Sequence, residues 1–197
     1  AGGISYSHQR VGARIGDREE HGTANRIRIG MNLTERWRLW SVHLGSAGQL
    51  DNETVGDIDR SVWNFDVGLL LVGFQALHIG SVIKGVLDRS REGQRRRMSN
   101  SLGISTGPLQ VEYDLSHIMG EVEDREVAHA VGMQVAPSVT VPIRIGYRAE
   151  PSVDFQAVSG GIGYVFLQGA VDFAYAQELG GEGKRWLSLQ FRMFLGN

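Results

Sequence analysis

The chain has no cysteine among its 197 residues. Disulfide frameworks, thiolate metal sites and cysteine nucleophiles are therefore excluded. Proline is scarce, at four residues, while glycine reaches 27; that balance suits curved strands with close backbone approach. No apolar run approaches the roughly 18 residues that a membrane helix needs, and the longest, around Val67 to Phe74, falls far short. A helical membrane protein is excluded, but a membrane barrel is not, because half of each barrel strand is polar. An excess of charge of one sign is also missing: 20 Lys and Arg stand against 22 Asp and Glu, for a formal net charge of -2. Nothing in that balance argues for a nucleic-acid partner. No secretory leader is visible at Ala1-Gly2-Gly3, which fits a mature chain or a fragment.

What the chain does have is alternation. Leu187, Leu189, Phe191, Met193 and Leu195 occupy every second position of the last segment, with Ser188, Gln190, Arg192 and Phe194 between them. The same period of two recurs at Val171, Phe173 and Tyr175; at Val158, Ile162, Tyr164 and Phe166; at Val139 to Tyr147; at Val131 to Val135; and at Leu109 to Leu115. Nearer the N-terminus it returns at Trp63 to Leu71, Leu77 to Ile83, Ile27 to Leu33 and Ile4 to His8. Each is the signature of a half-exposed strand. The segment from Arg36 to Gly45 changes phase, which predicts a bulge. The total is about twelve strands in a single domain spanning residues 1–197.

Such a chain is either a soluble β-sandwich or a closed antiparallel barrel in a membrane, and the connections discriminate. Short ones are expected at Thr34-Glu35, Gly73 to Gln75, Gly107-Pro108, Ala136-Pro137 and Leu167. Longer ones are expected at 12–22, 47–59, 88–97, 119–125 and 178–184, with a short turn at 149–152 where the alternation calls for a long one. Outer-membrane barrels alternate short periplasmic turns with longer outer loops. Tyr and Trp near strand ends match interfacial girdles. The expected fold is therefore an all-β, antiparallel transmembrane barrel, with a soluble β-sandwich binding module as the alternative. In the barrel, Asp66, Lys84, Glu112, Asp114, Arg144, Arg148, Asp172 and Arg192 face the lumen, with Arg26 and Arg28 beside them. A charge on the lipid face would cost about 2–4 kcal/mol at mid-membrane, so the sorting must be strict.

The segments V-P-I-R-I-G-Y-R, G-G-I-G-Y-V-F, A-V-D-F-A-Y-A-Q-E-L-G and R-W-L-S-L-Q-F-R-M-F, with F-D-V-G-L-L-L and R-I-G-M-N-L-T-E-R-W-R-L upstream, resemble the FadL superfamily of outer-membrane barrels, most of all its PorV-like branch associated with type IX secretion. The resemblance implies a non-enzymatic barrel that takes part in secretion or anchors partner proteins in the envelope. It equally implies, as an alternative, FadL-like transport of hydrophobic small molecules. It also implies about fourteen strands and an opening Asn-Pro-Ala-Gly-like segment, which has no counterpart before Ile4; the chain is then a fragment or a shorter barrel. A hydrophobic transporter predicts clustered Leu, Phe or Val inside, whereas the luminal set read from the alternation is mostly charged or small.

Candidate chemistry is sparse. A lipid-modifying barrel needs a serine activated by a histidine, and none of the six histidines is followed two positions on by serine. The acidic run from Asp51 to Asp59 lacks the spacing of a calcium loop, and no phosphate-cradling loop is present; no metal or cofactor is expected. Arg89, Arg91, Arg95, Arg96 and Arg97 form the strongest charge cluster. In an outer loop they would contact lipopolysaccharide phosphates or an acidic partner through bidentate hydrogen bonds. The expected partners are outer-membrane lipids, lipopolysaccharide and other envelope or secreted proteins.

Overall fold

A computed structural model describes residues 2–15, 18–55, 58–86, 96–119, 127–180 and 183–195. It contains twelve strands: β1 (Gly2–Ile15), β2 (Arg18–Trp37), β3 (Trp40–Val55), β4 (Ile58–Gly73), β5 (Leu77–Lys84), β6 (Arg97–Thr106), β7 (Leu109–Ile118), β8 (Val127–Ser138), β9 (Val141–Glu150), β10 (Phe155–Phe166), β11 (Gly169–Glu178) and β12 (Arg185–Leu195). Each pairs antiparallel with its sequence neighbours, and β1 pairs with β12 from Gly2↔Leu195 to Gly12↔Arg185, so the sheet closes on itself. Closure requires no strand beyond these twelve. Followed once round the barrel, the registers displace the chain along itself by roughly 14 residues. For twelve strands that shear corresponds to a tilt of about 40° and a backbone radius of roughly 12 Å.

The hairpins correct several expected boundaries. The phase change between Arg36 and Gly45 is not a bulge but a turn at Arg38-Leu39, with Trp37 opposite Trp40. Thr34 and Glu35 lie within β2, opposite His43 and Val42. Ala136 and Pro137 lie within β8, and the turn comes later, at Val139-Thr140; the irregularity falls between Val135 and Ser138. The expected loops at 12–22 and 47–59 are mostly strand, because β1 to β4 continue well beyond the height at which β5 to β12 end. Polar residues there still alternate, but without the apolar partners by which a strand is recognised in sequence. Gly107-Pro108 and Leu167-Gln168 do form tight turns, Gly107 taking the left-handed backbone (φ 57°) that the first turn requires.

The period-2 pattern puts the bulky residues outside. Met31, Leu69, Leu102, Ile145, Ile162, Phe191 and Met193 are all exposed, and among the described residues no large side chain is fully buried in a core. This outward belt would be untenable in water and is what a barrel offers to lipid. Aromatic residues bound it. At the short-turn end stand Trp37, Trp40 and Phe74, the last two in edge contact at 5.5 Å. At the other end the hydroxyls of Tyr6, Tyr113, Tyr147 and Tyr175 bond Asn25, His129, Gln156 and Gln177. Lipids brominated at mid-chain should therefore quench Trp40 and Trp63 less than a tryptophan introduced as Phe191→Trp, measured one tryptophan at a time in bilayers. Equal quenching of all three would contradict this placement of the belt. Both ends of the described chain lie at the short-turn rim, the periplasmic side of such barrels.

Candidate functional site: the lumen

The inward face of each strand combines charges with small residues, and the small residues decide which charges meet. Asp172 on β11 is 7% exposed. It accepts hydrogen bonds from Arg144 Nη1 at 2.5 Å and from Arg192 Nε and Nη2 at 3.0 and 2.6 Å. Arg192 is on the neighbouring β12, but Arg144 is on β9 and must reach across β10. It can do so because the inward positions of β10 at this level are Gly161 and Gly163. A Cβ on Gly163 would lie 2.6 Å from Asp172 Oδ1 and 3.0 Å from Pro142 Cγ. Gly163→Ala should therefore push Asp172 from its clamp and cost about 1–3 kcal/mol as an overpacking change, read as a lowered urea midpoint of the folded barrel. An unshifted midpoint would mean that Asp172 yields freely.

A second bridge repeats the device. Arg28 on β2 reaches Asp66 on β4 at 3.2 Å, passing the inward Ala47 of β3. Asp66 also accepts the Gly85 N–H at 3.3 Å. Beside it, Asp51 accepts from Arg26 Nε at 2.5 Å and Gln49 Nε2 at 2.6 Å, so it is engaged by side chains of the barrel itself. Asp51 and Asp66 are 4% and 5% exposed; burial of carboxylates to this degree is sustainable only with such partners. Near the outer rim Arg148 bonds Glu150, and Arg97 Nη1 lies 3.7 Å from the same carboxylate.

Two members of the arginine cluster, Arg96 and Arg97, lie among the described residues. Arg97 opens β6 and turns inward to Glu150, and Arg96 donates to the Val86 carbonyl at 3.1 Å, at the base of the loop. Arg89, Arg91 and Arg95 lie outside the described residues.

Among the described residues, two cavities of the lumen stand out. One, of about 480 Å³, lies along β7 to β12 and is lined by Glu112, Asp114, Arg144, Arg148 and Asp172 among small neighbours. The other, of about 550 Å³, lies along β1 to β5 and β12 and is walled by Leu70, Val82, Ala47 and Phe194, with Arg28, Asp66 and Arg192 also at its lining. Sequence reasoning missed this apolar wall. Leu70 and Val82 fall on the inward face of strands that are apolar on both sides there, so no alternation marks them, and Phe194 sits among the polar positions of β12.

The search for a serine beside a histidine also missed the reversed spacing. Ser41 Oγ lies 2.9 Å from His43 Nε2, whose Nδ1 meets Thr34 Oγ1 at 2.9 Å, at the periplasmic rim. The third member is a neutral hydroxyl, which cannot stabilise an imidazolium as a carboxylate does.

No protein-family model matches the chain, and no curated relative matches it in sequence. Solved structures match its fold. One is an outer membrane channel from Pseudomonas putida F1, with 9% identity, coverage of 98% of this chain and 94% of that one, and a TM-score of 0.65. Another is the Ralstonia pickettii toluene transporter TbuX, with 8% identity, coverage of 99% and 90%, and a TM-score of 0.63. A third is the translocator domain of the autotransporter NalP from Neisseria meningitidis, with 9% identity, coverage of 99% and 89%, and a TM-score of 0.58. At these identities the likeness is one of fold. Together with the closed sheet and its outward apolar belt, it defines the chain as a twelve-stranded bacterial outer-membrane β-barrel.

Proposed function

We propose that the barrel is a non-enzymatic passage for small, largely apolar molecules, the FadL-like reading. The observation that carries it is the luminal cavity of about 550 Å³ with its wall of Leu70, Val82 and Phe194. Its size is that of a small-ligand site, and an apolar wall inside an otherwise charged lumen has no structural use in a barrel whose apolar belt lies outside. Support also comes from the channel and the toluene transporter that share the fold. Toluene uptake into reporter-loaded proteoliposomes should exceed that of protein-free vesicles. Leu70→Trp or Val82→Trp, which fill the cavity, should slow it several-fold. Equal uptake with and without the barrel would overturn the reading.

A second reading is the PorV-like one, a secretion-associated barrel that binds or anchors partner proteins and meets lipopolysaccharide through its outer loops. It draws support from the autotransporter translocator domain of the same fold and from the tall wall that β1 to β4 raise beyond the other strands. Co-purification of a stoichiometric envelope protein, lost when residues 47–59 are replaced, would favour it over passage.

A further inference from the structure

Among the described residues, the lumen has three places where an inward acid and an inward arginine flank a strand of small residues. Two are bridged: Arg144 meets Asp172 across Gly161 and Gly163, and Arg28 meets Asp66 across Ala47. The third is not. Asp114 on β7 stands opposite Arg148 on β9 across Ala130 of β8, and Glu112 stands opposite Gly146 across Gly132, with Arg144 and Arg148 two positions to either side of Gly146; among the described residues no ion pair joins the two walls. Arg144 turns instead to Gln134 and Asp172, and Arg148 to Glu150. Among the described residues, Glu112 has no hydrogen-bond or ion-pair partner; Asp114 has none either, feeling only the charge of Lys84. The gap between these walls is the cavity of about 480 Å³.

The charge balance of the walls is uneven. On the β9 side two arginines share the one carboxylate of Asp172, and two more share that of Glu150, leaving positive charge in surplus. On the β7 side two carboxylates lack a direct partner. Strands two apart are separated by about 10 Å. Once Glu and Arg side chains have reached inward, the remaining space is that of one small group bearing both charges. An ammonium would neutralise Glu112, and a carboxylate would complete the guanidinium donors of Arg144 and Arg148, each through charge-assisted hydrogen bonds.

We infer that this cavity is a site for the dipolar end of a solute, an ammonium and a carboxylate on neighbouring atoms, whose apolar body lies toward the wall of Leu70, Val82 and Phe194. The inference rests on the reading of the lumen as a passage and names the class of molecule that it takes. A pair of carboxylates without a direct partner, held open across an alanine and a glycine, serves no packing purpose, since a longer residue on β8 or a turned arginine would close the gap as it is closed elsewhere in the same barrel.

The test is calorimetric titration of the detergent-solubilised barrel with three probes that share a phenyl ring: L-phenylalanine, phenethylammonium and 3-phenylpropionate. Phenylalanine should bind about tenfold more tightly than either singly charged analogue, the equivalent of one charge-assisted contact. Glu112→Gln, which breaks no ion pair of the barrel, should bring phenylalanine to the level of phenylpropionate and leave the latter unweakened. Ala130→Leu, which fills the gap without changing charge, should abolish the preference as well. Equal affinities for the three probes, or a preference untouched by both variants, would overturn the inference. Swelling of proteoliposomes in phenylalanine then separates the two ideas: the preference without entry would sink the passage reading alone, and entry without the preference would sink only the dipolar site.

Discussion

Asp172→Asn should lower the stability of the folded barrel by about 2–4 kcal/mol, among the larger effects of a single luminal change. Asp172 is almost wholly buried and pairs with two arginines at once, each at 2.6 Å or closer. Removing one member of a buried ion pair leaves an uncompensated charge, a loss of about 3–5 kcal/mol where burial is complete. Here the side chains of Arg144 and Arg192 keep 39% and 35% of their exposure, so lumen water screens part of the repulsion and the range drops. Arg192→Gln should cost less, because Arg144 still meets the carboxylate. The triple variant with Arg144→Gln and Arg192→Gln should recover much of the loss, since no charge is then stranded. Urea titration of the barrel in bilayers, followed by heat-modifiable gel migration, measures all three. An Asp172→Asn midpoint equal to that of the parent would show that the clamp contributes nothing.

Phe191→Arg should impair assembly by about 2–4 kcal/mol, the cost of a cation on the lipid face near mid-membrane, in addition to the lost aromatic burial. Phe191 is an exposed member of the outward belt, opposite Tyr6 on β1 and Val171 on β11. The matched control lies on the other face of the same strand. Ser188 lines the charged cavity, so Ser188→Arg places the same cation in water and should assemble as the parent does. The folded fraction after dilution into lipid vesicles reports both. Similar yields for the two variants would show that the face assignment is wrong, and with it the membrane placement.

These two variants rest on different kinds of information. That Phe191 faces lipid and Ser188 the lumen follows from alternation along one strand, which is local and needs no partner. Strand number and closure into one antiparallel barrel were legible for the same reason: residues two apart share a face, and short and long connections alternate. Legibility failed where the local signal changes meaning. The phase shift after Trp37 is equally a bulge or a turn when only one strand is seen, and its pairing with Trp40 settles it as a turn. The strands above the membrane carry too few apolar residues to mark a face, so 12–22 and 47–59 read as loops. Leu70 and Val82 sit where both faces are apolar, so the apolar wall of the lumen leaves no trace in the pattern.

By itself, the sequence determined the class of structure: cysteine-free, without membrane helices, a ladder of amphipathic strands with aromatic ends and luminal charge. The tertiary structure alone decided which charges are partners. Arg144 and Asp172 lie on strands that are not neighbours and meet only because β10 presents glycines between them, while Asp114 faces Arg148 across Ala130 of β8 and forms no ion pair with it. Closure of the barrel brings inward residues of separate strands into one lumen. There the length of each intervening side chain, which alternation does not encode, decides whether a charge is satisfied or left open to a ligand.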